Sequence, residues 1–286
     1  MAEYKDALVA LSSYPDITPD YVVDQAAAIA EHLNCGLSAF VQVLERKSTS
    51  RSYSHGEWLL DVPSMIDGVL QRSADGAQSL LSRFETVARA RGVFRDKILE
   101  GTSPFPDSER LIAHARHRDL TFLPVPELIG LDELFNEAVI FGSGRPVVLI
   151  PATAEKAPKS SAIDKVVVAW DFGRAAARAL ADSLPILKLA KDVHVVTFSG
   201  EKNLARHLTV SDLDRHLQSH GIQAVFDTVD VSGHAIGEAI DAYVAKRKAN
   251  LLVMGAFGHS RMVEFVLGGA TRSVLTAPTV PVFLSH

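Results

Sequence analysis

Apolar residues recur along this chain in two rhythms. Short runs such as KVVVAW, ending at Trp170, and LLVMG, ending at Gly255, show no strict polar alternation, as expected of strands covered on both faces. Between them, longer stretches repeat apolar residues every three or four positions, the spacing of amphipathic helices. In order, the pattern predicts a strand from Tyr4 to Leu11, a turn marked by Pro15 and Pro19, and a helix over Asp20 to His32. Val22, Val23, Ala26, Ala27, Ile29 and Ala30 form the apolar face of that helix, Gly36 stops it, and a second strand runs to Leu44. The polar stretch from Glu45 to Trp58 reads as a long loop. There follow a long helix from Ser64 to Arg91 closed by Gly92, an extended piece from Val93 to Glu100, and a helix from Ser108 to His117. A strand from Leu120 to Val125, a helix from Leu131 to Phe141 and a strand ending at Ile150 complete the first half.

Pro151 to Ala162, PATAEKAPKSSA, is poor in large apolar residues and reads as a linker. The cycle then restarts: a strand to Trp170, a helix from Arg174 that Pro185 is expected to end or kink, and a strand to Phe198. Ser211 and Asp214 resemble a capping box opening a helix with Leu213 and Leu217 inward and Gly221 as its stop. Next come a strand over Gln223 to Val229 and a helix over Ser232 to Lys248 with Ile236, Ile240 and Val244 on one face. The strand LLVMGA, a helix through Val266 and Val274, and the closing strand VPVFLS follow. The expected fold is α/β: two doubly wound parallel five-stranded sheet domains, Rossmann-like, in tandem. Residues 1–150 form the first, 151–162 the linker and 163–286 the second, and two domains account for the internal duplication better than one continuous sheet.

Composition narrows the partners. A formal charge of -5 and a pI near 6.1, with no basic run interleaved with aromatics, argue against nucleic acid. Cys35 is the single cysteine, which rules out an intrachain disulfide and a cysteine metal cluster and leaves a buried structural thiol as the preferred reading. The N-terminal MAEYKDALVALSS has no signal-peptide apolar core, and no stretch approaches the ~20 apolar residues of a membrane helix. A cytoplasmic protein without a membrane partner is expected.

Ligands of open parallel sheets dock beyond the carboxyl ends of the strands. Asp171 directly follows one apolar run, and Gly255 and Gly258 follow another, with Gly268 and Gly269 further on. A carboxylate there suits a ribose or base edge, while exposed amides of a glycine turn and a helix N-terminus suit phosphates. The competing reading places these glycines only for tight packing of helix on sheet. The spacing is neither the G-x-G-x-x-G fingerprint nor a G-x-x-x-x-G-K-[ST] loop. Elsewhere, His216 and His220 have a metal-compatible spacing but read as a solvated helix face, and His114 and His117 beside Arg116 and Arg118 read as surface basicity or an anion patch. Asp227, Asp230, Glu238 and Asp241 carry no paired-carboxylate signature, and no arrangement supports a covalent nucleophile.

GAFGHSRMVEFVLGG, with Asp171 upstream in VVVAWD, resembles the universal stress protein family, whose ATP-binding members carry G-x-x-G, nine residues, then G followed by Ser or Thr. The likeness covers Ile163 to His286 in motif and the first half in element order, so the chain resembles a tandem member. The resemblance implies an adenine-nucleotide site for ATP, with or without Mg. In it Asp171 meets the adenosine, Gly255, Gly258 and Gly268 shape the phosphate loop, and Gly269 adjoins it as a further cofactor-binding position. His259, Ser260 and Arg261 lie inside the motif and Thr271 just beyond it. Gly269 stands where the family's binders have a hydroxyl, and a lost charge-assisted hydrogen bond is worth ~1.5–3 kcal/mol; Thr271 or Ser273 is the nearest replacement. In the first half Pro124 and Pro126 occupy the equivalent turn and the first strand ends without a carboxylate at Ser12, so nucleotide binding in the family manner is not expected there. The implied role is a stress-response sensor or regulator more than a catalyst. The alternatives are a nucleotide-free interaction module or binder of another small ligand, and a slow ATP hydrolase. The apolar last strand invites pairing with another edge, within the chain or in a homodimer.

Overall fold

The computed structural model describes residues 3–46, 62–102, 107–125, 131–151, 163–199, 210–231, 235–256 and 277–286. Alternation of strand and helix is as the hydrophobic pattern predicts. The first half runs β1 (Asp6–Ser12), α1 (Asp20–His32), β2 (Gly36–Leu44), α2 (Val62–Ala90), β3 (Phe94–Thr102), α3 (Ser108–Arg116), β4 (Leu120–Val125), α4 (Leu131–Gly142) and β5 (Val147–Pro151). The second half runs β6 (Lys165–Ala169), α5 (Arg174–Leu187), β7 (Asp192–Ser199), α6 (Val210–Ser219), β8 (Val225–Asp230), α7 (Ile236–Arg247), β9 (Leu251–Gly255) and β10 (Val282–Ser285). The linker, from residue 152 onward, and the helix expected through Val266 and Val274 lie outside the described residues, as does the loop expected over Glu45 to Trp58 from residue 47 onward.

The strands form a ten-stranded sheet in the order β3-β2-β1-β4-β5-β10-β9-β6-β7-β8. Each half contributes five strands, and the order reverses beside β1 in one and beside β6 in the other. The described pairings are parallel except at the centre, where β10 runs antiparallel to β5, placing Phe283 opposite Val148. The expectation of two separate sheets is therefore met in each half's topology but not in the hydrogen bonding, which carries the sheet across the junction. On its other side β10 pairs with β9, so the edge that invited a homodimer has both neighbours within this chain.

Side chains alternate between the two faces of the sheet and build two cores. Val9, Val41, Phe122, Ile150, Val168, Val253 and Phe283 face the side of α1, α2, α5 and α6. Leu8, Phe40, Leu123, Leu149, Val167, Leu252 and Leu284 face the side of α3, α4 and α7. Both cores draw residues from both halves. A polar tie crosses the junction, the Tyr4 hydroxyl donating to the Asp182 carbonyl, and within the second half Ser285 Oγ of β10 donates to Asp182 Oδ2 at 2.5 Å. Burial, followed by the charge of Asp182, drives the Tyr4 phenol far above its ordinary range and holds it neutral as the donor.

Two local expectations need correction. Pro185 does not end α5, which continues to Leu187. The proline stands in the last turn, and the carbonyl four residues back belongs to the exposed Ala181, where water can replace the missing N–H. Ser211 lies inside α6, which is already helical at Val210, so it does not stand at the cap position. Leu213 and Leu217 do face inward, and Gly221, with φ +75°, ends the helix. Cys35 is buried as expected; desolvation, followed by the charges of Asp119 and Asp6, pushes its thiol up to about 12. No helix among the described residues is long and apolar enough to cross a membrane.

Candidate functional site

Where the sheet order reverses in the second half, the chain leaves β6 toward β7 on one side while β9 lies on the other, the position at which open sheets form a crevice. The Trp170 N–H donates to the Val196 carbonyl at 2.8 Å, extending the β6–β7 ladder one residue past the strand. The backbone then turns sharply: Phe172 adopts φ +59°, and Asp171 Oδ1 accepts the Gly173 N–H at 2.8 Å, an Asx turn. The Trp170 and Phe172 rings meet edge to face at 5.8 Å and brace the turn.

Gly173 is the N-cap of α5 and, lacking a side chain, leaves the first turn without a side-chain cap. No acidic residue stands in that turn, and Arg174 opens it. Its amides point toward the rim with the partial positive charge of a helix N-terminus. Asp171 is exposed, and its second oxygen makes no hydrogen bond among the described residues. The site thus offers a hydrogen-bond acceptor for hydroxyl or amino groups beside uncapped amides that can receive an anion.

Gly255 stands at the end of β9 directly beneath this first turn. A Cβ there would lie 2.4 Å from the Ala175 carbonyl carbon, 2.5 Å from the Ala176 nitrogen and 2.8 Å from the Ala175 Cβ. Its bareness therefore serves close packing of helix on sheet, the competing reading of this glycine, and that packing seats the α5 N-terminus on the rim beside Asp171. The structure brings together Asp171, Gly255 and the first turn of α5. Gly258, His259, Ser260, Arg261, Gly268, Gly269 and Thr271 lie outside the described residues. The residues missed in the sequence are Gly173 and the pair Ala175 and Ala176. Their signal was present in DFGRAAA, where a glycine and small residues open a helix facing a glycine-ended strand.

The other candidates resolve into structure. His114 Nε2 meets Glu100 Oε1 at 2.7 Å, and Arg110 reaches the same carboxylate at 3.2 Å. Those hydrogen bonds, the one from His114 foremost, hold the Glu100 carboxyl below its usual range. Arg116 donates to the Gly142 carbonyl, and Arg118 pairs with Asp6. His114, Arg116 and Arg118 of the basic cluster thus each meet a protein acceptor. Asp227 accepts from the Tyr243 hydroxyl and, at 2.7 Å, from Arg247, with the buried His194 imidazole 3.6 Å away. This knot ties α7 to β7 and β8. The rings of His216 and His220 pack edge to face at 4.8 Å, and no metal-competent group of three or more His, Cys, Asp or Glu occurs among the described residues.

The profile of the universal stress protein family matches residues 162–286. Universal stress protein Slr1230 of Synechocystis sp. is 31% identical over 137 residues, which cover 46% of this chain and 46% of that protein, so the chain spans less than half of that relative's length. Among solved structures, a universal stress protein from Archaeoglobus fulgidus superposes over 99% of this chain and 97% of its own, with a TM-score of 0.69 at 17% identity. A putative universal stress protein from Pseudomonas aeruginosa superposes over 99% and 93%, with a TM-score of 0.58 at 15% identity. At these identities the structural matches speak to the fold, and they extend it across both halves.

Proposed function

We propose that this chain is a universal stress protein, on the match of that family's profile to residues 162–286, and that the rim between β6 and β9 binds an adenine nucleotide, ATP in the first instance, as part of a sensing or regulatory role. The observation that carries this reading is the pairing of an exposed carboxylate with an uncapped helix N-terminus: Asp171 beside the first turn of α5. Asp171 would accept from the ribose hydroxyls, and the phosphates would meet main-chain amides. The domain division at 151–162 and a cytoplasmic location belong to the same proposal. Calorimetric titration of ATP into the full chain tests it. We expect saturable binding that weakens about tenfold or more in Asp171→Ala, the loss of one charge-assisted hydrogen bond. Absence of binding at millimolar ATP, or unchanged affinity in the folded variant, refutes the assignment.

A second reading, a nucleotide-free interaction module, is favoured by one observation: the close packing of Gly255 under α5 accounts for that glycine without any phosphate. Retention of a different small molecule by gently purified protein, with no response to ATP, selects it.

A further inference from the structure

The first half carries its own crevice where the order of its strands reverses, between the ends of β1 and β4, and there the structure holds a cavity of about 100 Å³. Its lining differs in kind from the rim around Asp171. Ala10, Phe40, Leu123 and Phe135 supply apolar surface. Ser12, Ser13, Thr18, Gln42, Ser73 and Asn136 around it are tied to other protein groups. Gln42 clamps Asp107 from both sides, its Nε2 donating to the carbonyl at 2.9 Å and its Oε1 accepting the N–H at 2.8 Å. Ser13 donates to the Gln42 carbonyl at 2.8 Å and lies 3.1 Å from Ser73, which accepts the Leu44 N–H at 3.0 Å. Thr18 Oγ1 accepts the Ser12 N–H, and Asn136 Nδ2 donates to the Pro124 carbonyl.

Two consequences follow. The walls are held in place by these bonds before any ligand arrives, which lowers the ordering cost of binding. The described lining also contains no Lys, Arg or His, and Asp16 is its one charged side chain, so an anion entering would lose hydration with no cation among the described lining residues to compensate. Pro124 removes one main-chain donor as well. We infer that this cavity is a binding site for an uncharged, apolar small molecule of about one-ring size, distinct from the nucleotide site proposed for the second half. One ring is the upper limit of size: the volume is below the ~150 Å³ of an enclosed apolar cavity that takes up benzene, and a single ring is accommodated only because this cavity is partly open to solvent.

The probe is toluene, titrated into the full chain and followed by saturation-transfer NMR, with benzoate as the anion of the same ring size. Toluene is expected to bind saturably, benzoate at least about tenfold more weakly, and ATP is expected not to displace toluene. Ala10→Leu fills the floor and Phe135→Trp crowds the helix wall; each is expected to weaken toluene at least about tenfold. Circular dichroism and thermal melts confirm that each variant is folded, and Asp171→Ala should leave toluene binding unchanged even if ATP binding fails. No saturable binding up to the solubility limit of toluene overturns the inference. So does binding kept within about twofold in both folded variants, or benzoate binding as tightly as toluene.

Discussion

Replacing Gly255 with alanine isolates the packing that seats α5 on the rim. Glycine to alanine in ordinary extended backbone stabilises a protein by about 0.4–1 kcal/mol, through the unfolded chain. Here the added Cβ would sit 2.4 Å from the Ala175 carbonyl carbon, about 1 Å inside van der Waals contact, and its nearest neighbours are main-chain atoms that no rotamer change can move. The helix must lift, and it is anchored by buried Ala179, Leu180, Ile186 and Leu187. Overpacking of this kind costs about 1–3 kcal/mol. At about 2–4 °C per kcal/mol for a chain of this size, the melting temperature should fall by about 2–12 °C without any ligand present. Adding Ala175→Gly removes only the 2.8 Å clash with the methyl and should restore part of the loss. Thermal melts followed by circular dichroism decide the matter. A melting temperature unchanged or raised in Gly255→Ala would refute the packing argument and return this glycine to the phosphate loop alone.

Asp227→Asn should cost about 1.5–3 kcal/mol at neutral pH by weakening the bonds to Tyr243 and Arg247. Because the hydrogen bond from Tyr243 foremost lowers the Asp227 pKa, that difference should persist above the ordinary carboxylate value and fade as pH falls through the folded-state value, which urea unfolding at stepped pH will show. Tyr243 behaves oppositely: burial, then its bond to Asp227, raises it to about 12, so its contribution should be complete below pH 10 and be lost as pH climbs toward 12. Cys35, with its thiol pushed up to about 12, should resist alkylation at pH 8 in the folded protein and react on denaturation; fast modification of native protein would contradict its burial. Phe283→Ala, fully buried where β10 meets β5, should cost about 3–5 kcal/mol in urea unfolding, and a loss below about 1 kcal/mol would deny that the junction shares one core.

Legibility in the sequence followed the locality of the cause. The helix over Asp20–His32 is bounded as read because Pro19 opens it and a continuous stripe from Val22 to Ala30 is buried. Pro185 does not end its helix because a proline's cost depends on whether the carbonyl it orphans reaches water, which depends on the exposure of Ala181 and not on the pattern. Ser211 misled because a serine followed three residues later by an acid marks a cap only where the chain enters the helix, and α6 is already helical at Val210. The joining of the halves was half visible: the apolar run in VPVFLS announced an edge needing a partner, but nothing local says that the partner is β5. At the rim, Asp171 and Gly255 were found by their place after strands, whereas the first-half cavity assembles residues from β1, β2, β4, α2 and α4 that no spacing links.

A crystal structure of the full chain grown with an ATP analogue would show whether nucleotide meets Asp171 at the rim. We predict the ribose hydroxyls within hydrogen-bond distance of the Asp171 carboxylate and the phosphates on main-chain amides beyond β6 and β9. Nucleotide seated in the first-half cavity, or none at the rim at millimolar concentration, would contradict it.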